Sequence, residues 1–279
     1  MKRRDNSGWN RLVNSTSGVT GSMSSNSTMQ QIGAGVVISS FTSNGFSLGN
    51  DSDTNGSGAP HISWSFRKAP KFFDVVTYTG NGAANQYINH SLDGVPGFVI
   101  IKNIGSTSIW TVFAKKSTDE YACSTNGVGA LNLTGQLGGI VSRSYFATST
   151  TFDVASPWGL GTNTNGATYV AYLFAHDTSP TGMIQEGSFT TDASGNANIS
   201  TIGWEPQYIM LKTTDTTGDW ITLDQTRGWG VGADKVLFAN TSGVETNATD
   251  YGAPTSNGFT AKGLSASLTY VYMVIRKAY

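Results

Sequence analysis

The chain has 279 residues, 34 of them glycine, with 13% charged and a formal net charge of -1; that is length enough for two or more ordinary cores, with no bulk electrostatic reason to bind nucleic acid or an anionic membrane. Abundant Ser, Thr, Asn and Gly suit short strands joined by tight turns, and no stretch carries the apolar period of a helix longer than a turn or two. The longest apolar runs, such as residues 169–175, have strand length and are too short to span a bilayer, and the single Cys123 excludes an intrachain disulfide.

Residues 1–71 begin part-way through a unit that the later chain spells out in full. The basic opening Met1-Lys2-Arg3-Arg4 runs into Asp5 and polar residues, so no cleaved leader is expected. Lys2 through Gly8-Trp9 can be laid on Lys212 through Trp220, and Gly8-Trp9 fits Gly228-Trp229 as well. Residues 15–30 are nearly all Ser, Thr, Asn, Gly and Met, which reads as a flexible arm with little core. The phrase Thr42-Ser43-Asn44-Gly45-Phe46 leads through a Gly-rich turn to a closing strand over residues 61–66. Because no opening strands precede it, apolar faces and strand edges are expected there. Three things could cover them: upstream residues of a longer product, strands of a neighbouring subunit, or a reduced fold. In the turn, Asp51, Asp53, Asn55 and Gly56 have the spacing with which a calcium loop begins, but Ile62 occupies the twelfth position where a carboxylate is needed. A solvated turn is the better reading, and no metal is expected.

Residues 72–180 form a first whole unit and residues 181–279 a second. Val95-Pro96-Gly97-Phe98-Val99-Ile100-Ile101-Lys102 stands against Glu205-Pro206-Gln207-Tyr208-Ile209-Met210-Leu211-Lys212, and Trp110 lies as far downstream as Trp220. The Thr-Ser-x-x-Phe phrase recurs at 148–152 and 255–259, before closing strands near 169–174 and 270–275. With Asn81-Gly82, Asn126-Gly127 and Asn165-Gly166 as turn signals, the first unit reads as about seven short strands. The fold class is therefore all-β: tandem antiparallel β-sandwiches, jelly-roll or lectin-like or immunoglobulin-like, with an incomplete N-terminal unit.

Several phrases together carry a resemblance: Val76-Thr77-Tyr78-Thr79-Gly80-Asn81-Gly82, Gly166-Ala167-Thr168-Tyr169-Val170-Ala171-Tyr172, Gly203-Trp204-Glu205-Pro206-Gln207-Tyr208 and Asp224-Gln225-Thr226-Arg227-Gly228. As a set they are similar to a repeated domain of unknown function found in structural proteins of marine tailed phages, cyanophages among them. The resemblance implies a virion component, such as a tail fibre, a tail-associated protein or a capsid decoration, with other virion proteins as partners. It implies no catalytic residues and no cofactor. In the first unit Ala114-Lys115-Lys116-Ser117 stands in place of the Asp-x-x-Arg-Gly phrase, so no shared site is assigned to it.

Candidate chemistry is sparse. His61, His90 and His176 share no ligand spacing, and no nucleophile motif is present. A glycosidase pair could in principle be drawn from Asp74, Asp93, Asp119, Glu120, Asp153, Glu186, Glu205, Asp219 and Asp224, but nothing selects two of them. Trp110 and Trp220 recur at matched strand positions and read as core, whereas Trp158 and Trp229, the latter beside Arg227, sit in Gly-rich loops. Loop tryptophans can stack on sugar rings, so a carbohydrate-binding receptor module using Trp158, Trp229 and Arg227 is the rival reading. The expectation is a non-enzymatic virion protein acting through assembly and surface contacts, as a homo-oligomer or on a symmetric lattice.

Overall fold

The computed structural model describes residues 1–33, 37–124, 128–142, 146–155 and 160–277. It is almost entirely β, 42% strand and 3% helical, in antiparallel sheets. Among the described residues no helix is long and apolar enough to cross a membrane.

The second unit shows the plan most plainly. Five strands lie in the order Ile184–Thr190, Thr269–Arg276, Pro206–Thr213, Ile221–Asp224, Leu237–Phe238. A small sheet of Ala197–Ile199, Gly258–Ala261 and Gly252–Thr255 covers one face. Alternation sorts the side chains: Ile209, Leu211, Leu223, Tyr272 and Val274 join Ile199 and Phe259 in one core. The intervening Tyr208, Met210, Trp220, Met273 and Ile275 enter a second core that runs on into the first unit. With both faces covered, a run such as Tyr208 to Lys212 is buried at every residue.

The first unit repeats this order, adding one edge strand: Gly139–Ser142, Glu120–Cys123, Trp110–Lys115, Pro96–Asn103, Thr168–Ala175, Phe73–Thr79. Tyr87–Asn89 pairs with Thr151–Asp153 to make its small sheet, giving eight strands among the described residues where sequence spacing suggests seven. Registers match pair for pair. Lys102 faces Val170 and Lys212 faces Val271, and in both units the register shifts directly after the proline, between Pro96 and Phe98 and between Pro206 and Tyr208. Proline has no N–H to give the ladder, so a bulge there costs little pairing.

Residues 1–71 supply the rest of a third unit. Lys2–Arg3 pairs with His61–Ile62, Lys2 opposite Ile62, so Lys2 holds the place of Lys102 and Lys212. This register sets Gly8-Trp9 against Gly218-Asp219 and decides between the two alignments that sequence allows. Arg11–Val13, Gly21–Ser24 and Ile32–Gly33 follow as a three-stranded sheet, and Ile38–Thr42 with Gly45–Leu48 as the hairpin of the Thr-Ser-x-x-Phe phrase. Two expectations are corrected. Residues 15–30 are not a free arm: Gly21–Ser24 is buried throughout, with Met23 only 1% exposed. Small serines let that strand lie against its neighbours, and their backbone carbonyls serve as acceptors for the next unit. The closing strand stops at Ile62, because residues 63–66 have no ladder partner on either side.

Candidate functional site

The residues that recur at matched positions meet where the units join. In the first unit the Lys102 ammonium donates to Ser108 O at 2.6 Å and to Thr28 O of the N-terminal unit at 3.0 Å. In the second, Lys212 Nζ donates to Gly218 O at 2.5 Å and to Thr134 O of the first unit at 3.1 Å. In the N-terminal unit Lys2 Nζ donates to Gly8 O and to Ser242 O of the second unit, both at 2.8 Å. The same three carbonyls accept backbone N–H groups, Ser108 N on Thr28 O, Gly218 N on Thr134 O and Gly8 N on Ser242 O. Each unit therefore grips a loop of the unit before it, and the third grip returns to the first member. Three like contacts close the chain into a ring.

The tryptophans complete each grip. Trp110 and Trp220 are fully buried, 0% exposed, with Lys102 and Lys212 Nζ at 5.9 and 5.7 Å from their ring centres. Trp110 N donates to Asn132 Oδ1 at 2.9 Å and Trp220 N to Asn240 Oδ1 at 2.8 Å. Their indole N–H groups cross to the preceding unit, Trp110 to Ser24 O and Ser27 O, Trp220 to Ala130 O. At the third joint the residue is Asn10. Its backbone N donates to Asn26 Oδ1 at 2.9 Å, and its side-chain amide reaches Phe238 O, Ala239 O and Thr241 O of the second unit. Burial pushes the Lys102 and Lys212 ammonium groups down to about 8. That is the cost of placing a cation among neutral carbonyls and an aromatic face, offset in part at Lys212 by Asp219. Lys2 is also lowered, by burial first, with Asp53 working against it.

An ion-pair network reinforces the joint between the second and N-terminal units. Arg4 makes a two-pronged pair with Glu245, at 2.9 and 2.7 Å. Arg227 reaches Glu245 at 3.2 Å and Asp224 at 2.6 Å, and its guanidinium lies 5.3 Å from the Trp64 ring centre. Burial tends to raise the Glu245 carboxyl, but Arg4 and Arg227 hold it below its ordinary value.

These contacts place the residues singled out from sequence. Arg227 is buried and spent on Asp224, Glu245 and Thr222 O. Trp229 is 3% exposed, packed on Phe259, and offers no face to a sugar; Trp158 lies outside the described residues. Asp51 caps the short helix Ser52–Asn55, and with Asp53 it faces Arg11, at 2.9 and 3.5 Å. Asn55 is turned to Gly49 O. Both carboxylates are thus paired with a guanidinium, and the described residues contain no group of three or more His, Cys, Asp or Glu able to hold a metal. Cys123 is buried, its thiol pushed up to about 12, as a small packing residue is. The acids are dispersed among local partners: Asp74 on Lys68, Asp219 on Asn240, Asp224 on Arg227, Glu205 on Gln225 and Lys277. Glu186 is buried beside His176, and desolvation raises its carboxyl well above the usual range. Sequence reading missed Lys2, Lys102, Lys212 and Asn10. The shared offset from each lysine to the tryptophan or asparagine eight residues on was the available signal.

Fold and joints together define a class: an all-β protein of two whole units and part of a third, joined by lysine-centred contacts. The chain belongs to the family described as Domain of unknown function (DUF7483), whose match covers residues 1–278 and so spans all three units. No curated protein and no solved structure matches it.

Proposed function

We propose that the chain is a structural protein of a phage virion, a tail fibre, tail-associated or capsid-decorating component, that works through assembly and surface contacts. The observation that carries this reading is where its distinctive residues go. The matched Lys, Trp and Asn side chains, and the one arginine of the Asp-x-x-Arg-Gly phrase, are all spent on holding unit to unit. The resemblance to repeated domains of phage structural proteins supplies the setting, and a symmetric lattice or homo-oligomer the mode of use. Gradient-purified particles from an infected culture test it: the chain is expected in them in fixed, multiple copy number by quantitative mass spectrometry. Its presence in the lysate but not in washed particles would sink the reading. A glycan array on the intact chain, with binding lost in Trp158→Ala, would move it to receptor recognition.

A further inference from the structure

Three short loops occupy matched places at the joints: Asn26-Ser27-Thr28, Asn132-Leu133-Thr134 and Asn240-Thr241-Ser242. In each, the asparagine Oδ1 accepts a backbone N–H, from Asn10, Trp110 and Trp220 in turn. The third residue gives its carbonyl to a lysine of the next unit round the ring. All three asparagines line one cavity of about 630 Å³, so it lies where the three units meet. A cavity of that size holds a small ligand when a few polar groups converge on it.

The groups that converge here are neutral and largely unspent. Among the described residues no wall of the cavity is charged. Asn132 is only 8% exposed, and with its Oδ1 fixed by Trp110 N its Nδ2 faces the cavity without a partner in the protein. Asn26 Nδ2 has only Gly8 O, at 3.5 Å, whereas Asn240 Nδ2 is taken by Asp219 at 2.7 Å. The hydroxyls of Ser7, Thr134, Thr241 and Ser242 also line the space and make no hydrogen bond among the described residues.

The likeness of the units breaks at one wall. Seven residues after the lysine, the whole units carry Ile109 and Asp219, neither of which lines the cavity; the N-terminal unit carries Trp9, which does. Its indole is 40% exposed. Arg11, held by Asp51, lies 6.0 Å from the ring centre and is not part of the cavity wall. The indole is thus propped by a side chain whose charge is already engaged, beside a pocket of amide and hydroxyl groups.

We propose that this cavity binds a neutral sugar ring. An indole suits the C–H face of a pyranose, and hydroxyls that both donate and accept match Asn132 Nδ2, Asn26 Nδ2 and the Ser and Thr side chains. The absence of charge among the described walls selects against uronic and sialic acids, which would bring a carboxylate with no cation to meet it. This inference rests on neither the virion reading nor Trp158.

Titration of the intact chain with the methyl glycosides of glucose, galactose, mannose and N-acetylglucosamine tests it, with glucuronic acid as the charged control. Saturation-transfer NMR and tryptophan fluorescence are expected to show saturable binding of at least one neutral glycoside and none of the acid. Trp9→Ala should weaken that binding by about tenfold or more, and Tyr87→Ala, an exposed aromatic elsewhere, should leave it unchanged. Thr134→Val and Ser242→Ala keep the carbonyls that the lysines use, and each should weaken binding by about threefold or more; they carry the test if Trp9→Ala does not fold. Binding of none of the four glycosides, tighter binding of the acid, or equal affinity in the folded Trp9, Thr134 and Ser242 variants overturns the proposal. So does binding lost in Trp158→Ala and kept in Trp9→Ala, which would put the sugar elsewhere.

Discussion

Two joints of the ring are filled by an indole, and the third by an amide. Trp110 and Trp220 bring bulk and one N–H each, while Asn10 brings two N–H donors and little volume, yet all three reach carbonyls at matched places in the preceding unit. What each joint shares is therefore the crossing hydrogen bond and the lysine beside it. Apolar bulk is supplied wherever the gripping unit is a whole one, and is absent where the N-terminal unit grips the second.

The largest effect should come from taking that bulk away. Trp220→Ala, measured by chemical denaturation, is expected to cost about 3–5 kcal/mol; a loss near that of a surface substitution would mean the joint is not where stability resides. Asn10→Ala should cost less, about 1–2 kcal/mol, since it leaves Phe238, Ala239 and Thr241 carbonyls short of a donor without opening a large void. Asn10→Trp sharpens the contrast: a gain in stability would show that the third joint can take the indole of the others.

Gly97 and its counterpart Gln207 break the likeness differently. A Cβ on Gly97 would lie 2.0 Å from Glu186 Oε2 at the joint of the two whole units. Gly97→Ala should therefore destabilise by about 1–2 kcal/mol, with Glu186→Ala restoring part of the loss in a double-mutant cycle. Glu186→Gln alone should stabilise the protein at neutral pH. The folded carboxyl titrates well above 4.5, so ionisation opposes folding as pH rises, and the gain should fade as pH falls below that value.

A further prediction is a pH slope. Lys102 and Lys212 release their protons near 8 when folded but near 10.5 when unfolded, so between those values the unfolded chain binds more protons and stability rises with pH. The rise should turn over above about 10, where the unfolded chain ionises tyrosines that Tyr78, Tyr172 and Tyr208 keep protonated by burial. Melting curves of Lys102→Met/Lys212→Met should lack the rising part.

Much of this was legible from residue order alone. The repeat, the matched Trp110 and Trp220, the post-proline strands and the all-β class follow from spacing and alternation. What was not legible has a physical reason. Residues 15–30 carry no apolar period, because the joint uses their backbone carbonyls, and a carbonyl leaves no mark on residue type. Trp229 and Arg227 resemble surface recognition residues, but the turn at Gln225–Arg227 folds one onto Phe259 and the other onto Asp224. Residues 61–66 have a strand's pattern and only part of its structure, since pairing needs a partner that local pattern does not supply.

The lysine contacts also settle how the molecule comes apart. Because every seam borrows an acceptor from next door, a fragment cut at residue 180 would lose the Thr134 and Ala130 carbonyls to which Lys212 and Trp220 donate, and would bare the indole to water. Melting one third strips a neighbour on either side, so loss of structure should spread through the circle in a single cooperative step.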